Sequence, residues 1–408
     1  MIPGVRTIVV LHANGIGDFV LALPALETLP ATYPDPEIVL LGKPCHAEFL
    51  RGRPGPVDRV VVMPPSCGLT VPPNAPDDPA ELSRFVTAMQ RERFDLAIQR
   101  RGGGRYSNPL SLRLGARLTI GLLASDASSI DRWIPYVYNQ SKIYRYLEMT
   151  ALAGALPVTL EPHVVVLGRD LAESLAVLLK SDDPLVPLHP GPDAPDRRWA
   201  QETFAATGDA LADAGARVVV IGTELERPLV ERVLSTMGPT AEDLGGKLSR
   251  GGIVWLLSRC DLVVPNDSGS PHLAAAAGTP TACIFWCLTM MTAGIPGRRR
   301  HRPVISWQVT CISCGTDVAE GGVPAGARSW PASRWKMWLN RHSSSCGAHE
   351  TVDEKDGLPV GAGSPRGHRG SGGGLRRTRW LITPAAATAP SEASRRLRAP
   401  AVEYDRAA

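Results

Sequence analysis

The sequence predicts an α/β protein of two successive domains, each a parallel sheet flanked by helices, followed by a tail without regular structure. Short β-branched runs alternate with helical stretches, the pattern of parallel sheets covered on both faces. That pattern occupies residues 1–158 and repeats through 159–310. The chain has 408 residues, too many for one compact core, so two domains are expected.

In the first domain Thr7–His12, Glu37–Leu41, Arg59–Met63 and Leu96–Arg100 read as strands. Asp18–Leu29, Ala80–Arg91 and Lys142–Ala155 read as helices, and Leu156–Glu161 starts the linker. In the second domain Leu185–His189 is a strand running into a Gly/Pro loop. Gln201–Ala214 is a helix, Arg217–Gly222 (RVVVIG) a strand and Leu225–Leu234 a helix. Asp261–Pro265, Ser270–Ala277 and Thr281–Trp286 then give strand, helix, strand. From about Val318 Gly, Ala, Arg, Pro and Ser dominate, and residues 318–408 are expected to be disordered. Such a segment cannot bury enough apolar surface to offset its ordering entropy. A natural low-complexity tail or a shifted reading frame near residue 318 would each account for the change.

Composition excludes several classes. Apolar residues make up 44% and the formal net charge is +4, which gives no case for a nucleic-acid partner. No run approaches the ~20 apolar residues of a membrane span. The opening MIPGVRTIVVLHANGIGD has a short β-branched run and a glycine turn, unlike a signal peptide. Eight scattered cysteines suit reduced thiols, so a cytoplasmic location is expected. Cys311-x-x-Cys314, with Cys346 beyond it, is at most half of a zinc site, and no metal or other cofactor is expected. The basic run Arg298–Arg302 reads as solvated, with anionic lipid headgroups at the inner membrane face as the functional alternative. Arg101-Gly-Gly-Gly-Arg105 reads either as a cleft loop or as a surface turn.

Three motifs carry chemistry. In HANGIGDFVLALPAL (12–26) a strand leads through a glycine turn into a helix. Gly15 and Gly17 allow a tight turn and close approach of another group. Asp18 is either the cap of that helix or a general base at the carboxyl end of the first strand. Val20 replaces the third glycine of a dinucleotide fingerprint, which argues against a dinucleotide. In LHPGPDAPDRRW (188–199), Arg197 and Arg198 follow a Gly/Pro loop and could neutralise a diphosphate or simply be solvated. In DLVVPNDSGSPHLAAAAGTPTACIF (261–285) a buried strand ends in Asn266-Asp267-Ser268-Gly269. The amides of Ser268, Gly269 and Ser270 would face an anion, with His272 within reach; the bland reading is a capped helix with a buried histidine.

Together these motifs resemble glycosyltransferase family 9, the ADP-heptose:lipopolysaccharide heptosyltransferase family. The matching text is GIGDFVLALPALETL (15–29), LHPGPDAPDRRWAQETF (188–204), VVVIGTELER (218–227), DLGGKLS (243–249) and NDSGSPHLAAAAGTPTACIF (266–285), in the family's order. The resemblance implies the GT-B fold: two Rossmann-like domains facing across a cleft, the first for acceptor and the second for a nucleotide diphosphate-sugar such as ADP-heptose. It implies inverting transfer to a cell-envelope glycan or lipid-linked acceptor, without a metal. On it Asp18 looks like the base, and Arg197 stands where the family commonly has a phosphate-binding lysine. Glu224 looks like a ribose or base contact, and Asp267, Ser268, Gly269 and His272 look like the diphosphate loop. After Trp286 no helix returning to the first domain is legible. A nucleotide-sugar epimerase on the same fold and a non-catalytic sugar-nucleotide-binding remnant are the competing readings.

Overall fold

The computed structural model describes residues 1–178, 181–191, 198–238, 241–293 and 300–307. All of the described residues belong to one compact unit. The expected tail from 318, Cys311, Cys314, Cys346 and Arg197 therefore all lie outside the described residues.

The first half runs β1 (Thr7–Leu11), α1 (Ile16–Val20), α2 (Leu23–Thr32), β2 (Glu37–Gly42), α3 (Pro44–Leu50), β3 (Arg59–Val62), α4 (Pro79–Arg91), β4 (Leu96–Gln99), α5 (Ser107–Arg113), β5 (Leu118–Leu123), β6 (Arg132–Pro135) and α6 (Lys142–Ala151). The second runs α7 (Gly168–Leu175), β7 (Leu185–His189), α8 (Gln201–Asp213), β8 (Arg217–Gly222), α9 (Arg227–Thr236), β9 (Glu242–Gly245), α10 (Arg250–Ser258), β10 (Val264–Pro265), α11 (Ser270–Ala276), β11 (Thr281–Trp286), α12 (Cys287–Ala293) and β12 (His301–Ser306).

The first sheet is parallel with the order β3-β2-β1-β4-β5-β6. In the second half β9-β8-β7-β10 are parallel neighbours, and β11 pairs with β12. Single bridges at Val263–Thr281 and Asn266–Ile284 join β10 to β11. The resulting order, β9-β8-β7-β10-β11-β12, repeats the first sheet strand for strand and is the doubly wound order of nucleotide-binding sheets.

Alternation along the strands sorts the core into layers. Ile8, Val10, Ile38 and Leu40 enter one cluster, while Val9, Leu11, Val39 and Leu41 enter another on the opposite face. Val186, Leu188, Val218 and Val220 form a third cluster outside the second sheet. Leu185, Val219 and Ile221 point the other way and join the cluster of Ile8 and Val10. One apolar layer thus runs between the two sheets, and each buried aliphatic side chain in it contributes about 1.5–3 kcal/mol.

Two expectations change. The stretch expected as one helix over Asp18–Leu29 breaks at Leu21 and Ala22, where α2 begins with Pro24 in its first turn. Proline's fixed φ and missing N–H suit that position. Beyond Trp286 the chain adds α12 and an edge strand, β12, whose Pro303 is tolerated at a sheet edge.

Candidate functional site

The carboxyl ends of the strands carry the candidate chemistry. After β1 the chain turns through His12–Gly15 into α1, whose cap is Gly15 with ordinary extended backbone (φ −78°, ψ 173°) and no side-chain cap bond. Asp18 is therefore not the cap. Its carboxylate instead accepts a 2.5 Å hydrogen bond from Nζ of Lys142, the first residue of α6, and both side chains are 25% exposed. Arg100, just past β4, lies buried with its guanidinium 4.6 Å from the Tyr146 ring centre. Its Nη2 donates to the Asp18 carbonyl oxygen at 3.5 Å.

Burial alone would raise the Asp18 pKa. Lys142, followed by His272 and Arg100, outweighs it and holds the carboxyl below its ordinary range. Burial pulls Arg100 down to about 10, against the opposing pull of Tyr146 and Asp18. It therefore remains a cation at neutral pH. The loop after β4 also reaches this corner, since Arg101 Nη1 donates to Asn14 Oδ1.

On the other half, β7 ends at His189 and β10 leads into Asn266. The buried Asn266 amide ties these two turns together: Oδ1 accepts from Trp199 N–H at 3.2 Å and Nδ2 donates to Pro190 O at 2.8 Å. Ser268 Oγ lies 3.2 Å from His189 Nδ1 and accepts from Ser270 N–H at 3.3 Å. Across the imidazole, His189 Nε2 lies 3.4 Å from Glu226 Oε2. Asp267 and His272 are buried, and Arg198 is half-buried. Glu224 is exposed in the 3-10 turn Glu224–Glu226, beside Gly246.

The two corners meet. A Cβ on Gly17 would stand 2.7 Å from Gly269 Cα and 3.1 Å from His272 Cδ2. Gly17 is thus needed for α1 to reach the Asn266–Ser270 turn. A Cβ on Gly15 would meet nothing within 4 Å, so close approach is a property of Gly17 alone. His272 faces Asp18 and Lys142. Burial, then Lys142, lowers its pKa to about 4, with Asp18 opposing. At neutral pH this imidazole carries no charge. Lys142, held protonated by Asp18 against its burial, also lies in the field of Asp267.

Structure thus brings together Asp18, Gly17, Gly269 and His272, with Ser268 one residue along the same turn, and leaves Glu224 on the rim. Lys142, Arg100 and Tyr146 escaped sequence reasoning because they come from distant elements with no motif of their own. His189 and Glu226 did have a signal: one ends a strand of a parallel sheet, the other follows the strand RVVVIG. Among the described residues no group of three His, Cys, Asp or Glu is placed to hold a metal ion, and no helix is long and apolar enough to cross a membrane.

Comparison with known proteins converges on one family. The family model described as glycosyltransferase family 9 (heptosyltransferase) matches residues 82–311. Lipopolysaccharide heptosyltransferase 2 of Escherichia coli (strain K12) is 22% identical over 302 residues, covering 68% of this chain and 82% of that protein. A solved family 9 glycosyl transferase from Veillonella parvula DSM 2008 superposes with a TM-score of 0.63 at 18% identity, covering 74% of this chain and 86% of that one. E. coli heptosyltransferase WaaC, solved with ADP, gives 0.59 at 19% identity over 82% of this chain and 99% of its own. The fold is GT-B.

Proposed function

The chain belongs to glycosyltransferase family 9 and is a glycosyltransferase; from that premise we propose that it moves a heptose from ADP-heptose to a cell-envelope glycan such as lipopolysaccharide, with inversion. Residues 1–158 take the acceptor and 159–310 the donor. The likeness to E. coli WaaC, solved with ADP and with ADP-2-deoxy-2-fluoro heptose, supports the donor, and the likeness to E. coli lipopolysaccharide heptosyltransferase 2 supports the acceptor.

Asp18 takes the proton of the acceptor hydroxyl as its oxygen attacks the anomeric carbon. The bond from that carbon to the diphosphate oxygen breaks, and ADP departs with the negative charge. Attack and departure on opposite faces invert the centre. The amides of Ser268 and Gly269 and the guanidinium groups of Arg197 and Arg198 meet that charge where it develops, with Asp267 shaping the turn and the Ser270 N–H engaged by Ser268 Oγ. Glu224 on the rim takes the ribose. His272, beside Gly17 at the meeting of the two motifs, faces the diphosphate from the first turn of α11. Among the described residues Cys45, Cys67, Cys260, Cys283 and Cys287 are free thiols, which fits a reducing cytoplasm.

One observation carries this reading: the Asp18 motif and the Asn266–Ser270 turn come from different halves of the fold and meet at Gly17 and Gly269. Asp18→Asn is expected to lower transfer by about 10²–10⁴-fold while ADP affinity stays near wild type. An Asn variant that still turns over would remove Asp18 from the role of base.

A further inference from the structure

The donor half contains a row of three polar side chains, joined by one ion-pair contact and one hydrogen bond, that the proposed chemistry leaves unused. Glu226 Oε2 accepts from Thr223 N–H at 2.7 Å and from Thr223 Oγ1 at 2.8 Å, and lies 3.4 Å from His189 Nε2. On the far side of the ring, Nδ1 lies 3.2 Å from Ser268 Oγ. Glu226 and His189 are both buried, whereas Ser268 is half-buried.

The backbone is shaped around this chain. A Cβ on Gly191 would overlap Glu226 Oε1 and stand 3.1 Å from His189 Cε1. A Cβ on Gly222 would crowd Glu226 Cβ at 3.3 Å. Only glycine at 191 leaves room for the carboxylate to lie under the imidazole. Burial works against an ionised Glu226. The bond and charge of His189, then the Thr223 donors, win and bring its pKa down to about 2. An ionised carboxylate only accepts, so His189 Nε2 must carry a proton, and that fixes the ring's orientation and presents Nδ1 to Ser268.

We propose that Glu226 and His189 are positioning residues that hold the Ser268 hydroxyl ready for the diphosphate of the sugar donor. This rests on the reading of the Asn266–Ser270 turn as the diphosphate site. In this arrangement the imidazole bears a proton on each nitrogen: Nδ1–H donates to Ser268 Oγ, which also accepts from Ser270 N–H, so the hydroxyl's own proton is left to point at a phosphate oxygen and its rotation is restricted before the ligand arrives. A ligand then has no ordering cost to overcome at that contact, which is the physical content of preorganisation. The arrangement repeats the logic of a metal-bound or nucleophile-bound histidine, where a carboxylate behind the ring aims the working nitrogen. Here the aimed partner is a hydroxyl that binds rather than reacts.

The test is a set of ADP affinities on the full chain, measured by calorimetry, with donor and acceptor KM values beside them. Ser268→Ala is expected to weaken ADP about ten-fold, the scale of one hydrogen bond to a charged group. His189→Gln places an amide near Nε2 and abandons Nδ1, and should weaken ADP to the same extent. The double variant should be no worse than either single one, because both act on one contact. His189→Asn, whose amide nitrogen falls near Nδ1, should recover much of the loss. Donor KM should rise in the weakened variants while acceptor KM holds. If His189→Gln fails to fold, Glu226→Gln paired with Ser268→Ala gives the same cycle. Independent, multiplying losses in the double variant would overturn the proposal, as would His189→Gln binding ADP like wild type. A wild-type chain that binds no ADP would instead overturn the parent reading.

Discussion

The sharpest residue-scale feature is the contact of Lys142 with Asp18. A base needs an ionised carboxylate, and here burial and charge oppose one another. Burial pushes the Asp18 pKa up, while the Lys142 ammonium at 2.5 Å pulls it below the ordinary range. Activity that depends on ionised Asp18 should therefore persist into acid, below the usual carboxylate titration. Lys142→Met removes the foremost of the influences that oppose burial, so the acid limb of kcat/KM should move to higher pH. A limb that stays in place would mean that Asp18 does not govern it. Glu226 gives a second pH signature, in stability. Its folded pKa of about 2 lies below its ordinary 4.5, so between those values the unfolded chain binds the extra proton. Its contribution is complete above 4.5 and fades as pH falls toward 2. Glu226→Gln should flatten the stability–pH curve in that window, as read from urea midpoints. The sequence displayed Asp18 and Ser268 because each sits in a strand–turn–helix motif. It hid Lys142 and Arg100, which reach Asp18 from positions 124 and 82 residues away in the chain.

At the scale of elements, legibility followed burial. β1, β2, β7, β8 and β11 are short apolar runs buried on both faces, and they were readable with bounds nearly as observed. β5 was not, because Gly121 interrupts its pattern. A Cβ there would stand 2.7 Å from the Gln99 carbonyl oxygen, so the glycine serves close strand packing that no propensity reveals. α10 was masked by Gly251 and Gly252 at its start, where a Cβ on the first would overlap the Asp170 carboxylate. The contact of α1 with α11 follows the same rule and can be tested. Gly17→Ala must push α1 away from Gly269 backbone, which should cost about 1–3 kcal/mol of stability and most of the transfer activity. Gly15→Ala, with open space around it, should change neither much. Thermal melts and initial rates on the pair separate a packing requirement at Gly17 from a general need for glycine in the turn. Equal losses in both variants would point to turn flexibility instead.

At the scale of the whole molecule, the repetition of strand–helix alternation in two halves was legible, since the same kind of run appears twice. The shared layer was not. It depends on which face each strand shows, and alternation gives two faces without saying what covers them. The two halves are also joined by a polar link. Arg53, between α3 and β3, pairs with Asp170 of α7 at 3.0 Å, and both side chains are 3% exposed. Arg53 Nε also donates to Phe49 O at 3.0 Å, and Nη1 donates to Val165 O on the approach to α7. Next to it Glu173 takes both the N–H and the hydroxyl of Ser249, the cap of α10. So the connection between a first-half segment, α7 and α10 is hydrogen-bonded where the surrounding layer is apolar. A buried pair contributes little net stability over a well-packed apolar substitute, but it penalises any arrangement that separates the partners. That makes it a device for fixing how the first half meets α7. Asp170→Ala leaves the Arg53 guanidinium buried without its counter-charge and should cost about 3–5 kcal/mol, measured by urea unfolding. Replacing both partners together, Arg53→Met with Asp170→Leu, should restore most of that stability. Transfer should remain impaired in the double variant if the pair fixes the meeting of base and donor turn, because an apolar joint has no preferred register. A double variant that is both stable and fully active would reduce the pair to a dispensable buried contact and leave the apolar layer alone to align Asp18 with the Ser268 turn.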